Sequence, residues 1–301
     1  MNKELTKHFS PGHSACAGCG FPVIVRTVLG EVEGSVVVSN ATGCLEVTST
    51  LYPYTAWKVP YIHSAFENAS ATISGVERAH KILSKKGKVK KDTKFVVFGG
   101  DGGTYDIGLQ SLSGALERGH DFLYICYDNG GYMNTGNQRS SATPYGAATE
   151  TTPSGKESFG KMEVRKNLME IVKAHGVKYL AQANAAYLPD LKRKAKKALE
   201  TKGPSFLLVF SPCTNNWKFP TSQYVNIAKL ATETNFWPLY EIENGKYKIN
   251  TAPENPKPVA EFLKTQGRFK HLFSEKNKSH LDEIQKMVNA EFARLAGLVE
   301  E

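Results

Sequence analysis

Four short runs of continuous apolar residues set the rhythm of the chain: Ser35-Val36-Val37-Val38-Ser39, Lys94-Phe95-Val96-Val97-Phe98, Phe122-Leu123-Tyr124-Ile125-Cys126-Tyr127 and Phe206-Leu207-Leu208-Val209-Phe210. Each is rich in β-branched and aromatic residues and too short for a stable helix, so each reads as a strand. Continuous rather than alternating apolarity predicts strands covered on both faces. Between them, apolar positions recur at helical spacing. Residues 64–84 align Ala65, Ala69, Ile73, Val76, His80 and Leu83 on one stripe, and residues 105–118 align Ile107, Leu109, Leu112 and Leu116. Helices are also predicted over 162–175 and 186–200, with a last one from Leu281 to Leu295. Strands alternating with helices predict an α/β fold with a mostly parallel, doubly wound sheet and helices on both faces. Residues 1–250 are expected to form this domain, and Pro-Glu-Asn-Pro-Lys-Pro at 253–258 marks the connector into a C-terminal extension, 251–301.

The residues just beyond each strand narrow the chemistry. The first strand runs into Asn40-Ala41-Thr42-Gly43-Cys44, the second into Gly99-Gly100-Asp101-Gly102-Gly103, the third into Asp128-Asn129-Gly130-Gly131 and the fourth into Ser211-Pro212-Cys213. Ligands of open α/β sheets collect outside the carboxyl ends of the strands, which is where these residues fall. The segment from Thr135 to Gly160 is long, polar and rich in Gly, Ser, Thr and Pro. A loop of that length inside a compact domain is usually functional.

At 301 residues, with 41% hydrophobic and 22% charged, the composition is that of an ordinary soluble globular protein. No run approaches the roughly 20 apolar residues of a membrane span. The start, Met1 to Lys7, lacks the apolar core of a secretory signal. A cytoplasmic location, without a membrane partner, is expected. The net charge of +9 raises the question of nucleic acid. The densest basic stretch, Lys81 to Lys94, contains Gly87 and leads into an apolar run, which reads as a helix end, a solvated turn and a strand entry. No nucleic-acid partner is expected.

The Gly100-Asp101-Gly102 turn suits a metal–diphosphate site. Glycine on both sides of an aspartate lets backbone approach a ligand closely, and a helix starting near Thr104 would turn free N–H groups toward an anion. Asp101 offers a hard oxygen to Mg²⁺, and Asn129 with the Gly131 carbonyl would complete a three-point site. This pairing resembles the thiamine-diphosphate motif, with Asp128-Asn129 where an Asn-Asn pair is usual. Five cysteines in a chain of this kind argue for metal or redox use rather than a disulfide framework. Cys16-Ala17-Gly18-Cys19 with Cys44 and Cys213 makes a four-thiolate set that suits zinc and [4Fe–4S] equally. Cys126, inside an apolar strand, reads as an inert core residue.

Further runs carry a more specific resemblance. They are His13-Ser14-Ala15-Cys16-Ala17-Gly18-Cys19-Gly20, Ala41-Thr42-Gly43-Cys44-Leu45-Glu46, Tyr52-Pro53-Tyr54-Thr55-Ala56-Trp57-Lys58 and Ala65-Phe66-Glu67-Asn68-Ala69. To these are added Gly99 through Gly108, Tyr127 through Ser140 and Gln266-Gly267-Arg268-Phe269-Lys270-His271-Leu272-Phe273. Together they span nearly the whole chain, which resembles the thiamine-diphosphate-binding β subunits of the 2-oxoacid:ferredoxin oxidoreductase family, of the pyruvate synthase type. The resemblance implies coenzyme A-dependent oxidative decarboxylation of pyruvate, or its reverse, with electrons leaving through one cluster to ferredoxin. Branched-chain 2-oxoacids, 2-oxoglutarate or oxalate are the alternative substrates, and a non-redox thiamine-diphosphate decarboxylase or synthase is the alternative class.

It further implies [4Fe–4S] ligation by Cys16, Cys19, Cys44 and Cys213, and Mg²⁺ held by Asp101, Asn129 and Gly131. Gly100, Gly102 and Gly103 would line the diphosphate. Asn134 would face the substrate, with Thr135 on the same loop, and His63 would stand near the cofactor. No carboxylate here is marked for activating thiamine (Glu46 and Glu67 are the candidates by position), and there is no ferredoxin-type C-x₂-C-x₂-C run. The family supplies that glutamate from an α subunit and carries electrons onward through γ and δ-type, ferredoxin-like partners. The extension 251–301 is then expected to pack on partner subunits.

Overall fold

The computed structural model describes residues 6–89 and 92–300. In chain order the first half holds α1 (Phe21–Gly30), β1 (Ser35–Ala41), α2 (Cys44–Ser49), β2 (Tyr61–Ser64), α3 (Ala69–Lys85), β3 (Thr93–Gly100), a π-helical segment (Gly102–Ile107), α4 (Leu109–Glu117) and β4 (Leu123–Asp128). The second half holds α5 (Leu168–Lys173), β5 (Tyr179–Asn184), α6 (Leu188–Glu200), β6 (Ser205–Phe210), α7 (Tyr224–Glu233), β7 (Leu239–Glu243), β8 (Lys246–Thr251), α8 (Val259–Leu263) and α9 (Lys278–Glu300). Lys90 and Lys91 of the basic stretch lie outside the described residues.

The described strands form one sheet in the order β2-β1-β3-β4-β6-β5-β7-β8. The first six pair in parallel, and β7 and β8 add an antiparallel edge. The four apolar runs read from the sequence are β1, β3, β4 and β6, which are consecutive neighbours. One lateral row, Val38, Val96, Leu123 and Ser205, crosses all four, so their carboxyl ends rise to a common edge. Every position of β4, β5 and β6 is buried, as covering on both faces requires. On this sheet α3 packs over β1 and β3 and against α4, while α6 packs over β5 and β6 and against α1. None of the described helices is long and apolar enough to cross a membrane.

Four strands went unpredicted, for different reasons. β5 carries Gln182 and Asn184, which break its apolar run. Both amides are satisfied by backbone, Gln182 donating to Pro238 O at 2.8 Å and Asn184 to Ala228 O at 2.6 Å. Hydrogen-bonded amides are admissible in a core, so the polar letters misled. β2 is only a short edge strand, and β7 with β8 forms an edge hairpin. The helix expected over 162–175 starts only at Leu168, where Asn167 caps it by accepting from Glu170 N at 3.3 Å. Before it the chain runs without helix, with Met162 and Val164 exposed, while Arg165 reaches inward to Asp128 and Tyr105. The helix expected over 105–118 is preceded by the π turn, closed by Gly108 N donating to Gly103 O at 2.8 Å.

The C-terminal segment folds back on its own domain. Phe262 of α8 is fully buried against Phe210 at the end of β6 and against Phe236. Ile284, Val288 and Leu295 of α9 are buried as well. Phe262→Ala should therefore lower the free energy of unfolding by about 3–5 kcal/mol, while Ile82→Ala on the exposed side of α3 should stay within about 0.5 kcal/mol. Urea unfolding midpoints of the two variants check this, with unchanged m-values.

Candidate cofactor site at the carboxyl edge of the sheet

Asp101 stands directly after β3 and is 1% exposed. Its Oδ1 accepts from Asn129 N at 3.3 Å and its Oδ2 from Ser140 Oγ at 2.5 Å. One terminal atom of the Asn129 side chain stands 2.9 Å from Asp101 Oδ1 and 3.0 Å from the Gly131 carbonyl. Without a cation the amide nitrogen takes that place and donates to both, and with one a turn of the amide brings its oxygen there instead. The three groups read from the sequence as a metal site thus converge on one point. Burial first, and the Asp128 charge second, push the Asp101 carboxyl up to about 8. A carboxylate desolvated in this way is stabilised by a cation, and the donor set of hard oxygens fits Mg²⁺.

The glycines make room. A side chain at Gly102 would meet the Tyr132 ring at 2.5 Å, and one at Gly103 would meet the Phe66 carbonyl at 3.2 Å. Tyr132 donates to Gly102 O at 3.1 Å and to Asp106 Oδ2 at 3.1 Å, and its ring stacks on Phe66. Among the described residues no side chain caps the π-helical segment that begins at Gly102, so its first N–H groups remain free for an anion. The departure at Asp128 also finds its reason. Its Oδ1 accepts from Gly130 N at 3.0 Å, and its Oδ2 pairs with Arg165, a partly buried guanidinium stacked on Trp237. An aspartate is tolerated there because an arginine from the distant loop neutralises it.

The four cysteines come from separate places. Cys16 and Cys19 lie on the loop before α1, Cys44 begins α2 after β1, and Cys213 comes after β6. Thr214 Oγ1 donates to Ala17 O at 3.1 Å, which ties the first loop to the last turn. Gly18, at φ +74, sits against Thr214 and Thr221, and a side chain at Gly20 would collide with the Tyr224 hydroxyl. All four are free, and among the described residues no three His, Cys, Asp or Glu side chains close at single-ion spacing. They nevertheless share one electrostatic neighbourhood. Burial, and then the charges of Cys213, Cys19 and Cys16, push the Cys44 thiol up to about 12. Burial likewise pushes Cys19 up to about 12, with Cys213 and Cys16 adding to it. Thiols so placed ionise together only around a positive metal centre, a zinc ion or an iron–sulfur cluster alike. Cys126 is fully buried in β4, apart from this set.

The remaining predicted residues lie at the rim. Asn134 and Thr135 are exposed on the turn closed by Tyr132 N donating to Gln138 O at 2.9 Å, and Thr135 bonds Gln138. The structure does not bring either of them against Asp101. His63 pairs in register with Asn40 near the end of β1, with its Nε2 2.8 Å from Thr42 Oγ1 and its Nδ1 3.8 Å from Glu46. Sequence reasoning assigned no role to Ser140, Arg165 or Trp217. Ser140 belongs to the polar segment Thr135–Gly160, whose length was its signal, whereas Arg165 lies beyond it in the stretch read as a helix.

Residues 41–209 match the family described as thiamine pyrophosphate enzyme, C-terminal TPP binding domain, which defines the class as a thiamine-diphosphate-binding domain. The chain is 54% identical to pyruvate synthase subunit PorB of Thermotoga maritima over 99% of this chain and 96% of that one. It is 47% identical to ketoisovalerate oxidoreductase subunit VorB of Pyrococcus abyssi over 100% of this chain and 96% of that one. Among solved structures, 2-oxoglutarate:ferredoxin oxidoreductase from Magnetococcus marinus shares the fold at a TM-score of 0.61 and 23% identity, covering 92% of this chain and 94% of that one. The chain belongs to the family of pyruvate synthase β subunits, within the 2-oxoacid:ferredoxin oxidoreductases.

Ser140→Ala removes the one side-chain hydroxyl that, among the described residues, donates to Asp101, and leaves Oδ2 buried without its donor. The expected loss is about 1–3 kcal/mol of stability, read from thermal unfolding in the absence of divalent cations.

Proposed function

We propose that this chain is the thiamine-diphosphate-binding subunit of an oxidoreductase that decarboxylates pyruvate, passes the acyl group to coenzyme A and delivers electrons to ferredoxin through one [4Fe–4S] cluster, or runs that reaction in reverse. The observation that carries the reading is the convergence of Asp101 Oδ1 and the Gly131 carbonyl on the end of the Asn129 amide, at 2.9 and 3.0 Å, on the edge where four thiols gather. Asp101, Asn129 and the Gly131 carbonyl hold Mg²⁺, and Gly100, Gly102 and Gly103 line the diphosphate. Cys16, Cys19, Cys44 and Cys213 hold the cluster. Bound thiamine diphosphate supplies the electron sink that decarboxylation of a 2-oxoacid requires.

The chain's own residues bind, orient and shield. Tyr132 and Phe66 wall the glycine turn, Trp217 holds the Asn129 backbone by donating to its carbonyl at 2.9 Å, and Arg165 neutralises Asp128. Asn134, Thr135 and His63 face the space where substrate and a partner meet the rim. The activating glutamate comes from an α subunit: Glu46 is already engaged by Thr50 at 3.0 Å, and Glu67 is exposed to solvent. Electrons go on through γ and δ-type, ferredoxin-like subunits, in the cytoplasm. Five pyruvate synthase subunits match at 50–54% identity, above the 46–47% shared by two ketoisovalerate oxidoreductase subunits and a further pyruvate synthase subunit, which supports pyruvate.

The test is the assembly purified without oxygen. About four irons and four sulfides attributable to this subunit, as the share lost in Cys213→Ser, with thiamine diphosphate, are expected, and zinc with no thiamine would sink the reading. Asp101→Ala should weaken Mg²⁺-dependent thiamine diphosphate binding by more than about tenfold and leave the iron in place. Cys213→Ser should do the opposite. Pyruvate and 2-oxoisovalerate turnover compared on the same preparation separates the two substrates. The isolated chain should be inactive with either.

A further inference from the structure

Arg268 is 4% exposed, in the 3-10 turn Gly267–Phe273 that comes after α8. Its guanidinium lies 3.6 Å over the Trp217 ring, and its Nε donates to Gln266 Oε1 at 2.9 Å. Its Nη1 is buried with no hydrogen-bond partner among the described residues. A side chain at Gly130, where φ is +68, would come within 2.9 Å of that nitrogen. The space is therefore kept open for the guanidinium. Trp217 links it to both halves of the site: Trp217 N donates to Cys213 O at 3.1 Å and its indole donates to Asn129 O at 2.9 Å.

A buried cation with an unused donor needs a countercharge. The negative groups whose charges reach Arg268 are Asp128, Cys213 and Asp101, with Arg165 opposing them. Asp128 is already paired with Arg165. Asp101 is already bonded by Asn129 and Ser140 and is the carboxylate assigned to Mg²⁺. The thiolate of Cys213 is left. Burial lowers the affinity of Arg268 for its proton, toward about 9, because the negative charges nearby offset only part of its desolvation in the chain alone.

We propose that Arg268 is the buried countercharge of the thiolate-ligated cluster, and that it favours the cluster's reduced form. This rests on the reading of the four cysteines as cluster ligands. When the cluster accepts one electron, released by oxidation of the 2-oxoacid, it becomes one charge more negative. A fixed positive charge nearby favours that form. Arg268 is thus a positioning residue for electron exit and touches no reacting atom.

The test is redox titration of the anaerobic assembly, followed by the spectroscopic signal that Cys213→Ser removes, so that clusters of other subunits are not counted. If the wild-type assembly shows no such signal, the cluster reading falls and the proposal with it. If it does, Arg268→Met should shift the one-electron reduction equilibrium at least tenfold toward the oxidised form, about 59 mV lower. Arg268→Lys should move it by less. Arg268→Gln is the second neutral variant should Met fail to assemble. If neither neutral variant assembles and the Lys variant keeps the wild-type potential, the charge is required and the proposal stands. If all three fail to assemble, Arg268 is a packing residue and the proposal is overturned. An unmoved potential in a neutral variant overturns it too, whether or not thiamine diphosphate binding weakens.

Discussion

A carboxylate buried after a central strand is the constraint around which the site is arranged. Asp101 leaves water at the end of β3, and an ionised carboxylate there must find donors or a cation. It finds the backbone and amide of Asn129, just after β4, and the hydroxyl of Ser140 from the loop beyond. These bonds join two strands and the long polar segment at one point. The segment then returns a guanidinium, Arg165, to the Asp128 carboxylate next door. A stretch without regular structure is in this way held by charge, where a helix or strand would be held by backbone ladders.

Sheet order turns scattered motifs into a site. Neighbouring strands lie about 4.8 Å apart, and β1, β3, β4 and β6 are consecutive neighbours. Cys44, Asp101, Asn129 and Cys213 are therefore delivered side by side at the carboxyl edge, although the chain separates the first from the last by more than half its length. The loop bearing Cys16 and Cys19 is drawn in by the Thr214 hydroxyl on Ala17 O. The Asp101, Asn129 and Gly131 groups and the four thiols thus share one edge, which is the placement on which the proposed electron path rests.

The C-terminal segment completes the back of this edge. Phe262 seals the end of β6, and the turn after α8 inserts Arg268 against Trp217. Arg268 O in turn accepts from Ala148 N, so the tail and the polar loop support each other. The extension 251–301 thus adds buried side chains to the domain's core and to the wall behind the site.

The parallel α/β class, the glycine turn around Asp101, the Asn129 partner and the four-thiol set were legible in the sequence. The reason is that each is written locally: apolar runs specify buried strands, and the residues after them specify the edge. Gln182 and Asn184 hid β5 because their partners, Pro238 and Ala228, lie far along the chain. The helix misread over 162–167 failed because Arg165 is claimed by a buried carboxylate instead of a helical ladder. Sequence alone therefore determined which residue types meet at strand ends and what chemistry they suit. Only the tertiary structure decided the strand order that makes them neighbours, and which buried charges Arg165 and Arg268 are left to balance, because both depend on distances between segments that no local pattern encodes.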